Sequence, residues 1–198
     1  MEETIGIIIV AGGNSSRLGQ PKQLLEYNGY TLLRNTIIQA KLVPDSFVVV
    51  VTGAYKDLMD KELATTAAKV VNNPDWETGM ASSIALGLQQ LQLLSPQAKA
   101  CIVTVCDQPF VTSALFNDLT KKQKETYKGI VASAYAETLG IPVLFTDKYF
   151  DELQNLKGHE GAKKLLSKFS NDTASVSFEK GAIDIDTIQD YNNLINQQ

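Results

Sequence analysis

The sequence predicts an α/β fold: a mostly parallel, mixed sheet flanked by helices on both faces. Three observations lead there. Short apolar runs rich in β-branched residues, such as Ile5 to Ala11 and Phe47 to Val51, have the pattern of strands buried on both faces. Stretches with apolar residues at helical spacing alternate with those runs along the chain. Glycine and proline punctuate the changeovers, at Gly12-Gly13, Pro44, Gly53 and Pro96. Such alternation needs crossover connections, and these lay helices over both faces of a parallel sheet.

Taken in order, Ile5 to Ala11 is the first strand, stopped by Gly12-Gly13. Leu33, Ile37 and Ala40 share a helical face that ends before Pro44, and Phe47 to Val51 is a second strand closed by Thr52-Gly53. A helix is expected from Asp57 to Ala64, then a short strand ending near Val71. Ile84, Leu88 and Leu91 stripe the next helix, with Leu94 continuing the stripe before Pro96. Ile102 to Val105 is a third strong strand, and Leu115 with Leu119 mark the helix after it. Ile130 to Ala134 and Pro142 to Phe145 read as strands, and Ala162, Leu165, Leu166 and Phe169 as another amphipathic helix. Thr187 with Asp190 three residues on has the form of a capping box. It opens a last helix whose expected inner face is Ile188, Tyr191 and Ile195. With no internal repeat, low-complexity tract or linker, residues 1–198 are expected to form a single domain.

The composition narrows the function classes. Of 198 residues, 44% are hydrophobic and 20% charged, which is an ordinary globular balance. Lys and Arg total 18 against 22 Asp and Glu, and a net charge of -4 argues against a nucleic-acid wrapper or a polybasic membrane binder. The start at Met1-Glu2-Glu3 lacks the basic character of a secretory signal. No apolar run approaches the roughly 20 residues of a membrane span, so a cytoplasmic location is expected. Two cysteines and one histidine are too few for a structural zinc site or a disulfide scaffold. Cys101 and Cys106 are five apart and face opposite sides if both lie in the strand, which argues against a redox pair.

In open sheets of this kind ligands bind beyond the carboxyl ends of the strands, so the loops that follow strands carry the chemistry. After the first strand the chain runs Ala11-Gly12-Gly13-Asn14-Ser15-Ser16-Arg17-Leu18-Gly19-Gln20-Pro21-Lys22. Glycines permit tight turns, successive N–H groups form anion-binding nests, and Arg17 with Lys22 supplies a forked donor and a mobile charge for phosphate oxygens. It is not a Walker A loop, because Lys22 is followed by Gln23, nor does it contain G-x-G-x-x-G. Taken alone it reads equally well as a flexible turn with two solvated cations. After the Ile102 to Val105 strand, Cys106-Asp107-Gln108-Pro109-Phe110 sets a carboxylate at the crevice. Asp107 there calls for a cation, and Mg²⁺ is the natural one beside a nucleotide; capping a turn is the alternative role. Near the C-terminus, Ile183-Asp184-Ile185-Asp186-Thr187 alternates apolar and acidic residues, which predicts a short strand with both carboxylates on one face.

Together these loops resemble the MobA-like NTP transferases, the nucleotidyltransferases of molybdenum cofactor synthesis. The stretch from Ala11 to Lys22 matches their opening motif. Further stretches are similar to the molybdenum cofactor cytidylyltransferase branch. These are Asn73-Pro74-Asp75-Trp76-Glu77-Thr78-Gly79-Met80-Ala81-Ser82-Ser83, Cys106 to Val111, Gly140 to Phe145, Gly158-His159-Glu160-Gly161-Ala162 and Asp184 to Thr187. The likeness covers nearly the whole chain in the same order.

The resemblance implies a Rossmann-like nucleotidyltransferase fold. It also implies transfer of a nucleoside monophosphate, CMP favoured, from an NTP to the terminal phosphate of a molybdopterin-type cofactor, with release of pyrophosphate. Carried onto this sequence, Ala11, Gly12, Gly13 and Arg17 belong to the triphosphate cradle, and Lys22 neutralises charge at the α-phosphate. Asp107 would hold Mg²⁺, with Asp186 or Asp184 as a second carboxylate, so that Lys22, Arg17 and Asp107 form the catalytic set. Pro74, Gly79, Ser82 and Ser83 would shape the base and ribose pocket. The implied partners are CTP or GTP, the pterin phosphate acceptor, and a molybdoenzyme or its chaperone.

Ala11-Gly12-Gly13 departs from the Ala-Ala-Gly usual in the cytidylyl branch toward the guanylyl branch, so GTP stays open beside CTP. An attacking phosphate is already ionised and needs no general base. This agrees with a chain whose only histidine, His159, is expected to lie outside the three sites. Two other readings remain: transfer to another phosphorylated metabolite such as a sugar or alditol phosphate, and a non-catalytic nucleotide- or cofactor-binding partner that delivers to a molybdoenzyme. Intact Lys22 and Asp107 speak against the carrier.

Overall fold

In the computed structural model, which describes residues 4–196, the apolar runs become the centre of one sheet. The acidic start at Met1-Glu2-Glu3 lies outside the described residues. In chain order the strands are β1 (Ile5–Val10), β2 (Glu26–Tyr27), β3 (Tyr30–Thr31), β4 (Ser46–Thr52), β5 (Lys69–Asn72), β6 (Ala100–Val105), β7 (Ile130–Tyr135), β8 (Thr138–Thr146) and β9 (Thr173–Ser177). The helices are α1 (Leu32–Lys41), α2 (Lys56–Leu63), α3 (Met80–Leu94), α4 (Ser113–Thr126), α5 (Phe150–Gln154), α6 (Lys163–Lys168) and α7 (Ile188–Ile195).

Seven strands pair in the order β5-β4-β1-β6-β8-β7-β9. Four of the ladders are parallel, and β8 alone runs against its neighbours β6 and β7. Alternation along β1 divides the core. Ile5, Ile7 and Ile9 face Leu33 and Ile37 of α1, Met59 of α2 and Phe116 of α4. Ile8 on the opposite face packs with Ile84 and Leu88 of α3, Leu153 of α5 and Leu165 of α6. Helices thus cover both faces, as the alternating pattern requires. Cys101 and Cys106 are buried on opposite faces, one in each core, and burial pushes both thiols up, Cys106 to about 12.

A third, smaller cluster of Leu25, Leu32, Ile185 and Leu194 ties the C-terminal segment to the chain after β1. The capping box forms: Thr187 Oγ accepts from Asp190 N–H at 3.2 Å, and the Asp190 carboxylate accepts from Thr187 N–H at 2.8 Å. The inner face of α7 differs from expectation. Ile188 and Ile195 are exposed, while Leu194 is buried, because this cluster sits under the Tyr191–Leu194 side of the helix. Leu94 likewise leaves the stripe of α3; it is exposed in the last turn, and Ser95 and Ala98 are buried beyond it.

Candidate active site

Parallel β1, β4, β5 and β6 deliver the loops that follow them to one rim of the sheet. The first loop is held by its own backbone. Ala11 N–H reaches Val51 O at 2.8 Å, and Gly12 O accepts from Ala54 N–H at 3.1 Å. A Cβ on Gly53 would stand 2.5 Å from Gly12 O, so glycine is required where the two loops touch. Buried Gln23 staples the turn, with Nε2 donating to Ala11 O and to Gly13 O at 2.9 Å each. Ser15 Oγ accepts from Lys22 N–H at 3.1 Å and donates to Gln23 Oε1 at 3.4 Å. Among the described residues, no acceptor is found for the N–H groups of Gly13 and Asn14.

Charges of both signs meet over this loop. Lys22 Nζ donates to Asp107 Oδ2 at 2.5 Å and to Asp186 Oδ1 at 2.9 Å, and Arg17 Nη2 donates to Asp186 Oδ2 at 2.6 Å. The side chains of Lys22 and Asp107 are only 18% exposed, so their attraction is weakly screened. Burial pulls Lys22 toward the neutral amine, but Asp107 and Asp186 outweigh it and keep the ammonium charged well above the ordinary lysine range. Burial raises Asp186, and Lys22 followed by Arg17 outweighs that, leaving its carboxyl below the usual range.

β9 runs parallel to β7 and carries the last segment to the same rim. Two bonds pin it to the β6 loop: Ile185 N–H to Asp107 O at 2.9 Å, and Gln108 Nε2 to Gly181 O at 2.8 Å. The predicted short strand does not form: residues 183–186 make only two backbone bonds, Ile183 N–H to Lys180 O at 3.1 Å and Ile185 N–H to Asp107 O, and join no ladder. Ile185 turns into the core between two outward carboxylates, as the alternation anticipated. Those carboxylates separate in role: Asp186 takes both cations, whereas Asp184 has its carboxyl pushed up by burial and then by Asp186 and Asp107.

Beside the glycine loop lies a cleft of about 530 Å³ lined by residues that include Gly12, Gly13, Trp76, Gly79, Ser83 and His159. Buried Asn73 shapes its floor by donating from Nδ2 to Ser82 Oγ at 2.8 Å and Ser83 Oγ at 2.9 Å. Gly79 has φ 117°, and a Cβ there would stand 2.2 Å from Gly158 O. This close approach docks the 158–159 turn on the start of α3 and brings His159 to the cleft. His159 therefore joins the first site rather than lying outside all three. Gly79 and Ser83 line the cleft. Pro74, Ser82 and Ala11 do not line it: Pro74 is exposed, Ser82 Oγ donates to Gly79 O at 2.9 Å, and the Ala11 carbonyl is taken by Gln23.

The family profile described as MobA-like NTP transferase domain matches residues 7–174. The chain belongs to this family. Among curated relatives, the molybdenum cofactor cytidylyltransferase of Escherichia coli (strain K12) is 26% identical over 190 residues, covering 94% of this chain and 93% of its own length. A probable molybdenum cofactor guanylyltransferase of Bacillus cytotoxicus is 23% identical over 129 residues, 65% of this chain and 62% of its own. Among solved structures, Rv0371c of Mycobacterium tuberculosis H37Rv superposes with a TM-score of 0.85 at 29% identity, covering 99% of this chain and 100% of that one. The manganese complex of the same mycobacterial protein gives 0.82 at 25% identity, covering 98% and 100%.

As a MobA-like transferase, the protein is a nucleotidyltransferase, and its rim offers the two kinds of group that such chemistry requires, cations for phosphates and carboxylates for a metal. Asp107 and Asp186 already share one cation, the Lys22 ammonium. Two carboxylates on one cation match the share of a Mg²⁺ shell that protein supplies beside a nucleotide. Among the described residues no group of three or more His, Cys, Asp or Glu is assembled to hold a metal, so phosphate oxygens and water must complete such a shell. Reading the sequence missed Gln23 and the placement of His159. The signal for Gln23 was its position directly after Lys22; for His159 the resemblance of its stretch set it near the cofactor side of the cleft, and the contact between Gly79 and Gly158 places it there.

Proposed function

We propose that the protein is a Mg²⁺-dependent cytoplasmic cytidylyltransferase of molybdenum cofactor synthesis. The terminal phosphate of a molybdopterin-type cofactor attacks the α-phosphorus of CTP, the α–β P–O bond breaks, and pyrophosphate leaves. The observation that carries this reading is the meeting of Lys22 with Asp107 and Asp186 at the rim beside the glycine loop. Gly13 and Asn14 N–H groups, Arg17 and Lys22 hold the triphosphate, and the cleft lined by Trp76, Gly79 and Ser83 takes base and ribose. A bound Mg²⁺, held by Asp107 and Asp186, would spread the charge that builds on the reacting phosphate. Support comes from the E. coli cytidylyltransferase, which matches nearly end to end, and from the manganese complex of the mycobacterial neighbour.

Ala11-Gly12-Gly13 favours GTP as a second reading, and guanylyltransferase relatives also match. The deciding experiment incubates the protein with Mg²⁺, the pterin cofactor and either CTP or GTP, and assays pyrophosphate. Release with CTP, reduced at least 100-fold in Asp107→Ala, is the expected outcome. Release with GTP alone moves the assignment to the guanylyl reaction, and turnover only when an alditol or sugar phosphate replaces the pterin moves the acceptor. No pyrophosphate in any combination, with cofactor delivery to a molybdoenzyme intact, leaves the carrier reading in its place.

A further inference from the structure

The proposed metal seat is filled by a side chain. Lys22 Nζ stands 2.5 Å from Asp107 Oδ2 and 2.9 Å from Asp186 Oδ1, so the ammonium lies where a cation bridging those carboxylates would sit. A dication placed between the same oxygens would have a unit positive charge at close range, in a pocket where the Asp107 and Asp186 side chains are 18% and 24% exposed and screening is weak. The second oxygen of Asp186 is engaged by Arg17. No third carboxylate, histidine or cysteine completes the seat among the described residues. Free metal therefore meets an incomplete shell, already neutralised.

The backbone of Lys22 is fixed, its N–H bonded to Ser15 Oγ and its carbonyl accepting from Leu25 N–H at 3.1 Å each. Only the four-carbon stem is free to swing. Lys22 closes the same loop that carries Gly13 and Asn14, whose N–H groups have no acceptor among the described residues. We infer that Lys22 is a tethered counter-ion that keeps the Asp107–Asp186 seat closed to free divalent metal, and that a bound triphosphate opens the seat by drawing the ammonium onto its oxygens. Metal and nucleotide then bind with positive coupling, and linkage makes the effect reciprocal. This inference rests on the assignment of Asp107 and Asp186 as the metal seat.

The test is Mn²⁺ titration followed by electron paramagnetic resonance, on wild type, Lys22→Met, Lys22→Arg and Asp107→Asn, each first checked for folding by circular dichroism. With Mn²⁺ alone, Lys22→Met should bind roughly 5- to 150-fold tighter than wild type. Lys22→Arg, which keeps the charge, should bind as weakly as wild type. If Lys22→Met does not fold, Lys22→Gln replaces it. Equal or weaker Mn²⁺ binding by the neutral variant overturns the inference. Repeating the titration with α,β-methylene CTP separates the two ideas. A protein-bound Mn²⁺ signal that needs Asp107, with no gain in Lys22→Met alone, removes the gate and keeps the seat. A signal indifferent to Asp107 in every state removes both.

Discussion

Gly79 shows how a single backbone position shapes the site. Its φ of 117° is unfavourable for a side chain, and a Cβ would collide with Gly158 O and crowd His159 N at 2.7 Å. Gly79→Ala should cost about 1–3 kcal/mol, seen as a lower urea midpoint. It should also raise the KM for nucleotide by displacing the 158–159 turn from the cleft. A variant with unchanged stability and KM would show that the turn is free to retreat at no cost. At this scale the sequence pointed to Lys22, Arg17 and Asp107 as candidates, because each follows the end of a recognisable strand, and the structure brings them to one rim. It did not reveal which of two aspartates meets the cations. Asp184 and Asp186 are equivalent in pattern, and only the position of Lys22 and Arg17 distinguishes them.

Among the elements, α7 matters because it clamps the acidic segment. Leu194 and Tyr191 pack with Leu25, Leu32 and Ile185, and the helix starts at the Thr187–Asp190 box directly after Asp186. Thr187→Ala should lower stability by about 1 kcal/mol, and at this chain length the melting midpoint by about 2–4 °C. Calorimetry checks it, and no shift would mean that the packing of Leu194 alone holds the helix. The buried strands were legible since β1, β4 and β6 are continuous apolar runs. β9 was not: Thr173–Ser177 is half-buried at the sheet edge and lacks such a run. The β2–β3 hairpin has two residues a side, too few for a periodicity, although its Asn28-Gly29 turn with φ 54° and 81° is a strong local signal.

Across the whole molecule, the edge strand β9 links stability to pH. Asp172, just before it, is held down to about 2 by Lys148 and then Tyr149, whose Nζ and hydroxyl reach Oδ2 at 2.8 and 2.7 Å. Gly129 N–H donates to the other oxygen at 3.2 Å and ties β9 to the start of β7. The folded pKa is depressed, so this contribution is complete above the ordinary carboxylate value near 4 and is lost as pH falls toward 2. Asp172→Asn should be less stable near neutral pH and show a flatter loss of stability between pH 4 and 2, followed by urea titration at each pH. An unchanged acid limb would assign that loss to other carboxylates. The architecture as a whole was legible, but its one reversed strand, β8, follows from pairing between distant segments that no local pattern encodes.

The ion pair between Lys22 and Asp186 joins residues 164 apart. A ribosome releases the basic loop early and the acidic segment almost last. Lys22 can meet Asp107 once the middle of the polypeptide has emerged, but Asp186, the carboxylate that takes Arg17, is made only after the last strand. Closure of this pair thus records that translation has reached the far end of the sheet.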